Sequence, residues 1–296
     1  LYYFKEDGSQ AKGEIIEENG IKYYYEPESG ILASGRYLQV GDDQWMYFKQ
    51  DGSLAIGQVR ADHGYLKYFD KNGIQVKGKT VVEDGKTYYY DAHSGALVTS
   101  SFAEIAPNQW SYFNTDGQAL KGKWTINGKE YYFDENGIQY KGKAVKVGSR
   151  YKYYDENDGQ PVTNRFAQIE PNVWAYFGAD GYAVTGEQVI NGQHLYFDEN
   201  GRQVKGGFVT NTDGSRSFYH WNTGDKLVST FFATGHDRWY YADDRGNVVT
   251  GAQVINGQKL FFDTDGKQVK GAFATNANGS RSYYHWNTGN KLVSTF

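Results

Sequence analysis

Cysteine is absent from this 296-residue chain, and proline and methionine are scarce, at four and one residues. Without cysteine, neither disulfides nor thiolate metal sites can form. No apolar run approaches the ~18 residues of a membrane-spanning helix, and no signal peptide is recognisable at Leu1. The net charge of −4 is small and the basic residues are evenly spread. We therefore expect neither nucleic acid nor a membrane as a partner.

What the chain has in abundance is aromatic rings and glycine. Aromatic residues make up 17% of it, and 37 residues are glycine. Rings favour strands and glycine favours tight turns, so this composition indicates many short strands rather than packed helices. The predicted fold class is therefore all-β.

One phrase of thirteen residues, "EYYFDENGIQYKG" from Glu130, occurs five times with small changes. We call it the Gln-x-Lys phrase and number its copies one to five. Its turn glycines recur every 64 or 65 residues, at Gly8, Gly73, Gly137, Gly201 and Gly266. A Trp-type phrase with the same period begins at Trp45, Trp110, Trp174 and Trp239. A Tyr-rich phrase has its turn glycines at Gly30, Gly95, Gly159, Gly224 and Gly289.

Each phrase consists of an aromatic strand, a turn ending in glycine and a short tail, which is the signature of a β-hairpin. A lone hairpin cannot bury its apolar face, so hairpins must stack on one another. We predict a β-solenoid of about fourteen hairpins forming a single domain over residues 1–296. The chain starts inside a strand and stops where the next Trp-type phrase is expected, so we expect a fragment of a longer chain.

Alternation along the strands sorts each Gln-x-Lys phrase into two faces. With a two-residue turn, the residue four before the turn glycine pairs with the apolar residue three after it. That register predicts a core of Phe4, Phe69, Phe133, Phe197 and Phe262 against Ala11, Val76, Tyr140, Val204 and Val269. The opposite face then holds one ring, one Gln and one Lys per copy: Tyr3, Gln10 and Lys12; Tyr68, Gln75 and Lys77; Tyr132, Gln139 and Lys141; Tyr196, Gln203 and Lys205; Phe261, Gln268 and Lys270.

This set is a candidate ligand site because the Trp-type phrase lacks it, having for example Leu54 and Ile56 at the Gln and Lys positions. An exposed ring suits the C–H face of a sugar, and an amide with an ammonium group suits its hydroxyls. Several weak sites on one chain would raise the avidity for a polymer. The alternative interpretation is that the rings pack and that Gln and Lys only solvate an exposed strand.

Signals for catalysis or metal binding are absent from the sequence. Carboxylates concentrate in turns such as Asp134–Gly137, where they stabilise the turn itself, and no pair suited to acid–base chemistry stands out. The stretch Asp263–Gly266 departs from a calcium loop in both spacing and ligands. His220 and His285 occupy equivalent places in "YHWNTG", which indicates a duplicated turn. We predict no catalytic residue, no metal and no cofactor.

The phrases "YYFDENGIQYKG" and "WSYFNTDGQALKG" resemble the repeats of the glucan-binding domain of bacterial glucansucrases, the sucrose-dependent glucosyltransferases. The resemblance covers essentially the whole chain. It implies a non-catalytic β-solenoid related to choline-binding-type repeats, which binds α-glucan such as dextran and keeps a secreted enzyme at its polymer product. It further implies a bacterial cell-surface location and a monomeric fragment joined to a catalytic domain in the parent.

The resemblance also implies sugar pockets made of an aromatic stacker with Gln and Lys, which Tyr68, Gln75 and Lys77 and their equivalents match. A second aromatic from the next phrase is implied as well, at Tyr90, Tyr154 or Tyr219. Three alternatives remain open: a choline- or teichoic-acid-binding wall anchor, a host-glycan-binding repeat region of a toxin, and a spacer without a ligand. Choline is disfavoured because aromatic cages for quaternary ammonium groups exclude nearby positive charge, whereas a Lys lies in each candidate site.

Overall fold

The computed structural model is built from short antiparallel strands and describes residues 1–293, with Asp62 described by its backbone alone. The chain divides into two compact units. The first comprises Leu1–Lys141 with Asn157–Gln160, and the second comprises Gly142–Glu156 and the chain from Pro161 onward. Within residues 1–293 there is no α-helix and thus no helix able to cross a membrane. The all-β prediction is confirmed.

The first unit contains twelve strands and one short 3₁₀ segment, η1 (Asp62–Gly64). The strands are β1 (Glu14–Glu18), β2 (Ile21–Tyr25), β3 (Arg36–Gly41), β4 (Gln44–Phe48), β5 (Gly57–Arg60), β6 (Leu66–Phe69), β7 (Lys79–Glu83), β8 (Lys86–Tyr90), β9 (Ser101–Ala106), β10 (Gln109–Phe113), β11 (Gly122–Ile126) and β12 (Lys129–Phe133).

The second unit contains fourteen strands as far as residue 293. They are β13 (Lys143–Val147), β14 (Arg150–Tyr154), β15 (Arg165–Glu170), β16 (Val173–Phe177), β17 (Gly186–Ile190), β18 (Gln193–Phe197), β19 (Gly207–Thr210), β20 (Arg216–Tyr219), β21 (Thr230–Ala233), β22 (Trp239–Ala242), β23 (Gly251–Ile255), β24 (Gln258–Phe262), β25 (Ala272–Thr275) and β26 (Arg281–Tyr284).

The strands pair two by two in chain order, across turns that precede the aromatic strand instead of following it. Strands β11 and β12, for example, pair from Gly122 with Phe133 to Ile126 with Lys129. Asn127 and Gly128 form the two-residue loop between them, with φ of 51° and 76°. Two consecutive left-handed residues are what a type I′ turn requires. The regular hairpins therefore join the tail of one phrase to the aromatic strand of the next.

The turn that follows the aromatic strand, at Asn136-Gly137, is a three-residue loop. The backbone N–H of Asp134 donates to the carbonyl of Ile138 (2.8 Å), and that of Gly137 donates to the carbonyl of Asp134 (2.9 Å). The Asp134 carboxylate also accepts from the N–H groups of Asn136 and Ile138. This is a type I turn with a glycine bulge, and Gly137 supplies the left-handed residue at φ 82°. The two-residue turn predicted from the sequence was wrong.

The extra loop residue exchanges the two predicted faces of the tail. Phe133 pairs with Gln139, and the Tyr140 ring packs edge-on against the Tyr132 ring at 5.1 Å. A one-residue change of register turns every side chain to the opposite face. Gln139 thus lies on the face of Phe133 and away from Tyr132. The same pairing recurs in the other copies: Phe4 with Gln10, Phe69 with Gln75, Phe197 with Gln203, and Phe262 with Gln268.

The core of each unit is formed by the last residue of each aromatic strand, which is an aromatic ring in every strand but β22. Phe69, Phe133, Phe197 and Phe262 are at most 1% exposed, as predicted. Phe4 differs, with 62% of its surface exposed, because no described element packs over it. Ala11 is buried, whereas its counterparts Val76, Tyr140, Val204 and Val269 are half-buried. The phenylalanine position therefore contributes more to the core than the tail position.

Within each unit, each hairpin is hydrogen-bonded to the hairpin before it. The N–H of Gln75 in a tail donates to the carbonyl of Trp45 in β4 (2.8 Å). The N–H of Gln268 likewise donates to the carbonyl of Trp239 in β22 (2.7 Å). These bonds satisfy strand edges that a lone hairpin would leave open. The Gln-x-Lys tails of copies two to five consequently lie beside the strand of the preceding Trp-type phrase.

Candidate functional site

The five glutamines of the Gln-x-Lys phrases share one structural role. Each lies over the turn glycine of the following Tyr-rich phrase, and a Cβ atom on that glycine would lie between 2.0 and 2.4 Å from the amide nitrogen. Each amide also donates a long hydrogen bond of 3.3 to 3.5 Å to the carbonyl just before that glycine. The pairs are Gln10 with Gly30, Gln75 with Gly95, Gln139 with Gly159, Gln203 with Gly224, and Gln268 with Gly289.

The length of the Tyr-rich turn explains why glutamine stands two residues after the turn glycine only in the Gln-x-Lys phrase. In that turn the N–H of Asp91 donates to the carbonyl of Ala96, and the N–H of Gly95 donates to the carbonyl of Asp91, so the loop has one residue more than the others. The extra residue leaves the Ser94 carbonyl facing the tail, where Gln75 donates to it. Before a shorter turn, an apolar side chain such as Leu54 covers the corresponding glycine, Gly73.

The lysines of the same phrases take several positions. Lys77 forms an ion pair with Asp43 (2.9 Å), and Lys12 donates to the carbonyl of Glu28 (3.1 Å). The ammonium groups of Lys141 and Lys270 lie over the rings of Trp110 and Trp239, at 5.8 and 5.5 Å from the ring centres. The aliphatic stems of Lys77, Lys205 and Lys270 pack against the Tyr-rich turn glycines. The head groups of Lys77, Lys141 and Lys270 are therefore placed near the preceding Trp-type strand.

The aromatic residues predicted to stack on a sugar pack instead against the core. The ring of Tyr68 lies 5.6 Å from that of Tyr90, and the same tilted contact at 5.7 Å joins Tyr3 with Tyr25, Tyr196 with Tyr219, and Phe261 with Tyr284. Burial, followed by a hydrogen bond with Glu83, raises the pKa of Tyr68. The structure does not bring these rings together with Gln and Lys on one surface.

The proposed second aromatics, Tyr90, Tyr154 and Tyr219, are fully buried at 0% exposure. Their rings have no free face for a ligand, because each is the last residue of its strand and lies in the core. Burial raises the pKa of Tyr90 to about 12, although its hydroxyl accepts a hydrogen bond from Gln58 (3.1 Å). Burial likewise raises the pKa of Tyr219 above its ordinary value. These three side chains stabilise the fold.

Gln268 and Lys270 line an open cleft of about 660 Å³ in the second unit, together with Trp239 and Trp286. Trp239 is 38% exposed and Trp286 is 70% exposed, so both indoles offer ring surface to a ligand. The rest of the lining is formed by Asp237, Asp263, Lys267, Val269, Ala272 and Asn287. Phe261 is not part of it. The cleft combines apolar ring surface with two ammonium groups, two amides and two carboxylates.

The fourth copy of the phrase has equivalent residues at the main positions. The N–H of Gln203 donates to the carbonyl of Trp174 (2.7 Å), as Gln268 does to Trp239. Trp174 is 37% exposed. Trp221, 47% exposed, occupies the place that Trp286 has in the fifth copy, since each lies against the glycine that closes its phrase.

Sequence reasoning missed these tryptophans because they belong to the phrases before and after the Gln-x-Lys phrase. The Trp-type phrase is a contrast that lacks the pair of Gln and Lys, and "HWNTG" by itself indicates only a turn. The available signal was the period itself. A Trp once per period, one phrase upstream of the Gln-x-Lys tail in copies two to five, is what a hydrogen-bonded stack would place beside that tail.

The histidines of "HWNTG" hold their turns. Nδ1 of His220 accepts from the backbone N–H groups of Asn222 and Thr223, each at 3.3 Å. His285 does the same with Asn287 and Thr288. Among the described residues, no group of three His, Cys, Asp or Glu side chains is arranged to hold a metal ion.

Hairpins that recur every 64 or 65 residues and are hydrogen-bonded to their neighbours within each unit define a repeat protein. The chain belongs to the choline-binding repeat family, whose repeat matches residues 1–37, 62–102, 122–166, 184–231 and 249–296. A cell wall binding repeat also matches residues 101–119.

Two glucosyltransferases of Streptococcus mutans serotype c are similar to it. Glucosyltransferase-S is 42% identical over 276 residues, covering 93% of this chain and 17% of the relative. Glucosyltransferase-I is 42% identical over 295 residues, covering 99% of this chain and 20% of the relative. The chain thus spans at most a fifth of the length of these relatives.

Among solved structures, the modular autolysin LytC of Streptococcus pneumoniae, in complex with a synthetic peptidoglycan ligand, is similar over 90% of this chain and 51% of its own. The identity is 20% and the TM-score is 0.49.

Proposed function

We propose that this chain is a carbohydrate-binding module that binds an α-glucan such as dextran and performs no chemistry itself. The observation that carries the proposal is the cleft in which Trp239 and Trp286 flank Gln268 and Lys270. The relatives' printed function, glucosyl transfer, supports a glucose polymer as the ligand. The polar ligand set is the Gln and Lys of each copy: Gln10, Lys12, Gln75, Lys77, Gln139, Lys141, Gln203, Lys205, Gln268 and Lys270.

The chemistry of the cleft suits a neutral sugar. Indole rings provide flat apolar surface for the C–H face of a pyranose. Lys270 provides up to three N–H donors for hydroxyl oxygens. Gln268 is only 6% exposed, and its amide N–H already binds the Thr288 carbonyl, so it offers a sugar chiefly its carbonyl oxygen. Tryptophan and lysine therefore provide most of the accessible contact, and glutamine shapes the floor of the cleft.

The proposal extends to the parent protein. A chain that matches up to a fifth of a glucosyltransferase is the size of an appended module, and its Gln-x-Lys phrase recurs five times along the sequence. We propose that it belongs to a secreted glucosyltransferase at the bacterial surface and keeps that enzyme close to its polymer. Repeated weak sites serve this purpose, since linked sites raise avidity for a polymer without any single strong contact.

Binding of choline is the second candidate function, because neighbouring members of the family are named for it. The geometry opposes it. Lys270 places its own ammonium group over the Trp239 ring, and Lys141 does the same over Trp110. A quaternary ammonium ligand would have to share that face with a positive charge. A neutral glucan meets no such repulsion.

Affinity electrophoresis in gels containing dextran tests the proposal. Trp239→Ala should weaken retardation of the fragment, whereas Phe261→Ala, which removes an aromatic ring outside the cleft, should affect retardation only through stability. Circular dichroism melting of both variants separates the two effects. No retardation of the unmodified fragment by dextran would reject the proposed function. If only Phe261→Ala weakened retardation, the result would instead support the set of ring, Gln and Lys predicted from the sequence.

A further inference from the structure

One position beside the Gln-x-Lys tails differs sharply between copies. A Cβ atom on Gly271, which closes the fifth phrase, would lie 3.3 Å from the Cβ atom of Trp286. In each of the other four phrases, the residue at the equivalent position lies against the closing glycine in the same way: Pro27 at Gly13, Ala92 at Gly78, Glu156 at Gly142 and Trp221 at Gly206. The structure therefore aligns five equivalent residues, of which only two are tryptophan.

In the two copies that have tryptophan, the residue directly before it also differs from that in the other copies. In the second copy, Asp91 precedes Ala92, and its carboxylate accepts the N–H groups of His93 and Ser94. In the fourth copy, His220 precedes Trp221 and accepts the turn N–H groups through Nδ1. The histidine thus replaces the carboxylate as the acceptor of the turn and adds a flat ring.

That ring supports the indole. His220 and Trp221 stack at 4.9 Å with 24° between their planes, and Phe218 meets Trp221 edge-on at 5.9 Å. His285 and Trp286 repeat the contact at 5.7 Å and 32°. Trp221 and Trp286 nevertheless keep 47% and 70% of their surface exposed. An indole that is held by a neighbouring ring and still exposed is pre-organised to bind, since little side-chain freedom remains to be lost.

We propose that the clefts of the fourth and fifth copies, containing Trp221 and Trp286, are the principal glucan sites of this chain, and that this second indole sets the affinity of each site. The inference rests on the proposed function. Copies with Pro27, Ala92 or Glu156 at that position lack the second ring and bind weakly. In the second copy, moreover, Lys77 is engaged by Asp43.

The test uses the intact 296-residue fragment and measures dissociation constants for dextran by affinity electrophoresis. Trp221→Ala and Trp286→Ala should each weaken binding about three- to tenfold, by the usual worth of an aromatic contact. The double variant should lose more than either single variant, because attachment through two sites is abolished. Both residues are exposed, so melting temperatures should stay close to that of the unmodified fragment.

A gain of binding provides the complementary measurement. Ala92 is exposed, so Ala92→Trp adds an indole at the equivalent position without disturbing the core. Combined with Asp91→His to supply the supporting ring, and placed in the Trp221→Ala, Trp286→Ala background, it should restore part of the lost retardation. Pro27→Ala is the matched control at an equivalent site and should change nothing.

The outcomes separate this inference from the function on which it rests. If dextran does not retard the unmodified fragment, the proposed function fails. If the unmodified fragment is retarded and the double variant is retarded equally, the function stands and the second-indole inference is overturned. If the double variant loses retardation but Ala92→Trp with Asp91→His restores none of it, the indole does not set affinity by itself and the proposal is overturned in that form.

Discussion

Gln203 lies directly over Gly224, so that a Cβ atom on the glycine would lie 2.4 Å from the glutamine amide nitrogen. The amide donates at 3.3 Å to the carbonyl of Thr223, the residue before that glycine. Side-chain amide and turn therefore fit each other as a pair. Because the same pair occurs in all five copies, the repetition of glutamine has a structural cause apart from the proposed ligand.

The first prediction concerns this fit. Gly224→Ala should destabilise the fragment because alanine must adopt a φ of 73° and must also displace the Gln203 amide. Gly214→Ala is the control, since Gly214 has a similar φ of 84° but open space around it. The left-handed backbone alone should cost about 1–2 kcal/mol, and displacing the Gln203 amide from its hydrogen bond with Thr223 about 0.5–1.5 kcal/mol more. Chemical denaturation measures both, and equal losses would show that the overlap costs nothing.

A second prediction concerns two buried tyrosines at equivalent positions. The Tyr90 hydroxyl accepts a hydrogen bond from Gln58, whereas the buried Tyr219 hydroxyl has no hydrogen-bond partner among the residues that the structure describes. Tyr90→Phe should cost about 0.5–1.5 kcal/mol of unfolding free energy, while Tyr219→Phe should be neutral or stabilising, because it removes an unsatisfied polar atom from the core. Unfolding curves of the two variants compare them directly. A larger loss for Tyr219→Phe than for Tyr90→Phe would contradict the hydrogen bonding described.

The repeats predict the organisation well, since turn glycines and rings act locally. The turn at Gly137 and the burial of Phe133 follow from alternation and from glycine's left-handed φ. The pairing of the tail could not be predicted in the same way. The Asp134 carboxylate accepts two N–H groups and closes a three-residue loop, and this single extra residue moves Gln139 to the other face. A loop longer by one residue differs little in free energy, but it turns every side chain of the tail to the opposite face.

The candidate site was less predictable than the fold because its parts come from three phrases. Trp239, Gln268 and Trp286 meet only through hydrogen bonds between successive hairpins, and the sequence does not state which strand a tail joins. Gln and Lys were identified from their recurrence. The rings beside them were not identified, because the sequence alone does not distinguish a Tyr or Phe that packs on the core from one that is exposed and stacks on a sugar.

A third prediction concerns acid stability. Hydrogen bonds from the Ser53 side chain and backbone lower the pKa of Asp51, and the backbone N–H of Ser94 is the main cause of a lowered pKa at Asp91. A carboxyl whose pKa is lower in the folded state stabilises the fold fully above its unfolded value of about 3.9, and that contribution is lost as the pH falls through the folded pKa. The melting temperature should therefore decline below about pH 4.

Asparagine substitutions test the cause of that decline. Asp51→Asn and Asp91→Asn keep an acceptor oxygen in the turn but remove the titration. The double variant should show a flatter dependence of melting temperature on pH than the unmodified fragment. An unchanged slope would assign the acid sensitivity to other carboxylates.

A fourth prediction distinguishes glucan from choline as the ligand of the cleft. The ammonium group of Lys270 lies 5.5 Å from the centre of the Trp239 ring. A cation of the protein itself therefore already occupies the ring face that would attract choline. Choline at millimolar concentration should therefore leave retardation by dextran unchanged, when compared with sodium chloride at the same ionic strength.

Removing the internal cation sharpens the comparison. Lys270→Gln keeps a polar side chain but clears the Trp239 ring, so any sensitivity to choline should appear in this variant before it appears in the unmodified fragment. Retardation by dextran should weaken in the same variant, because a donor to the sugar hydroxyls is exchanged for a shorter, neutral one. Release of the unmodified fragment by choline, and not by sodium chloride, would show instead that the clefts bind a quaternary ammonium group despite the lysine. The glucan and the ammonium ligand would then compete for the same indole surface.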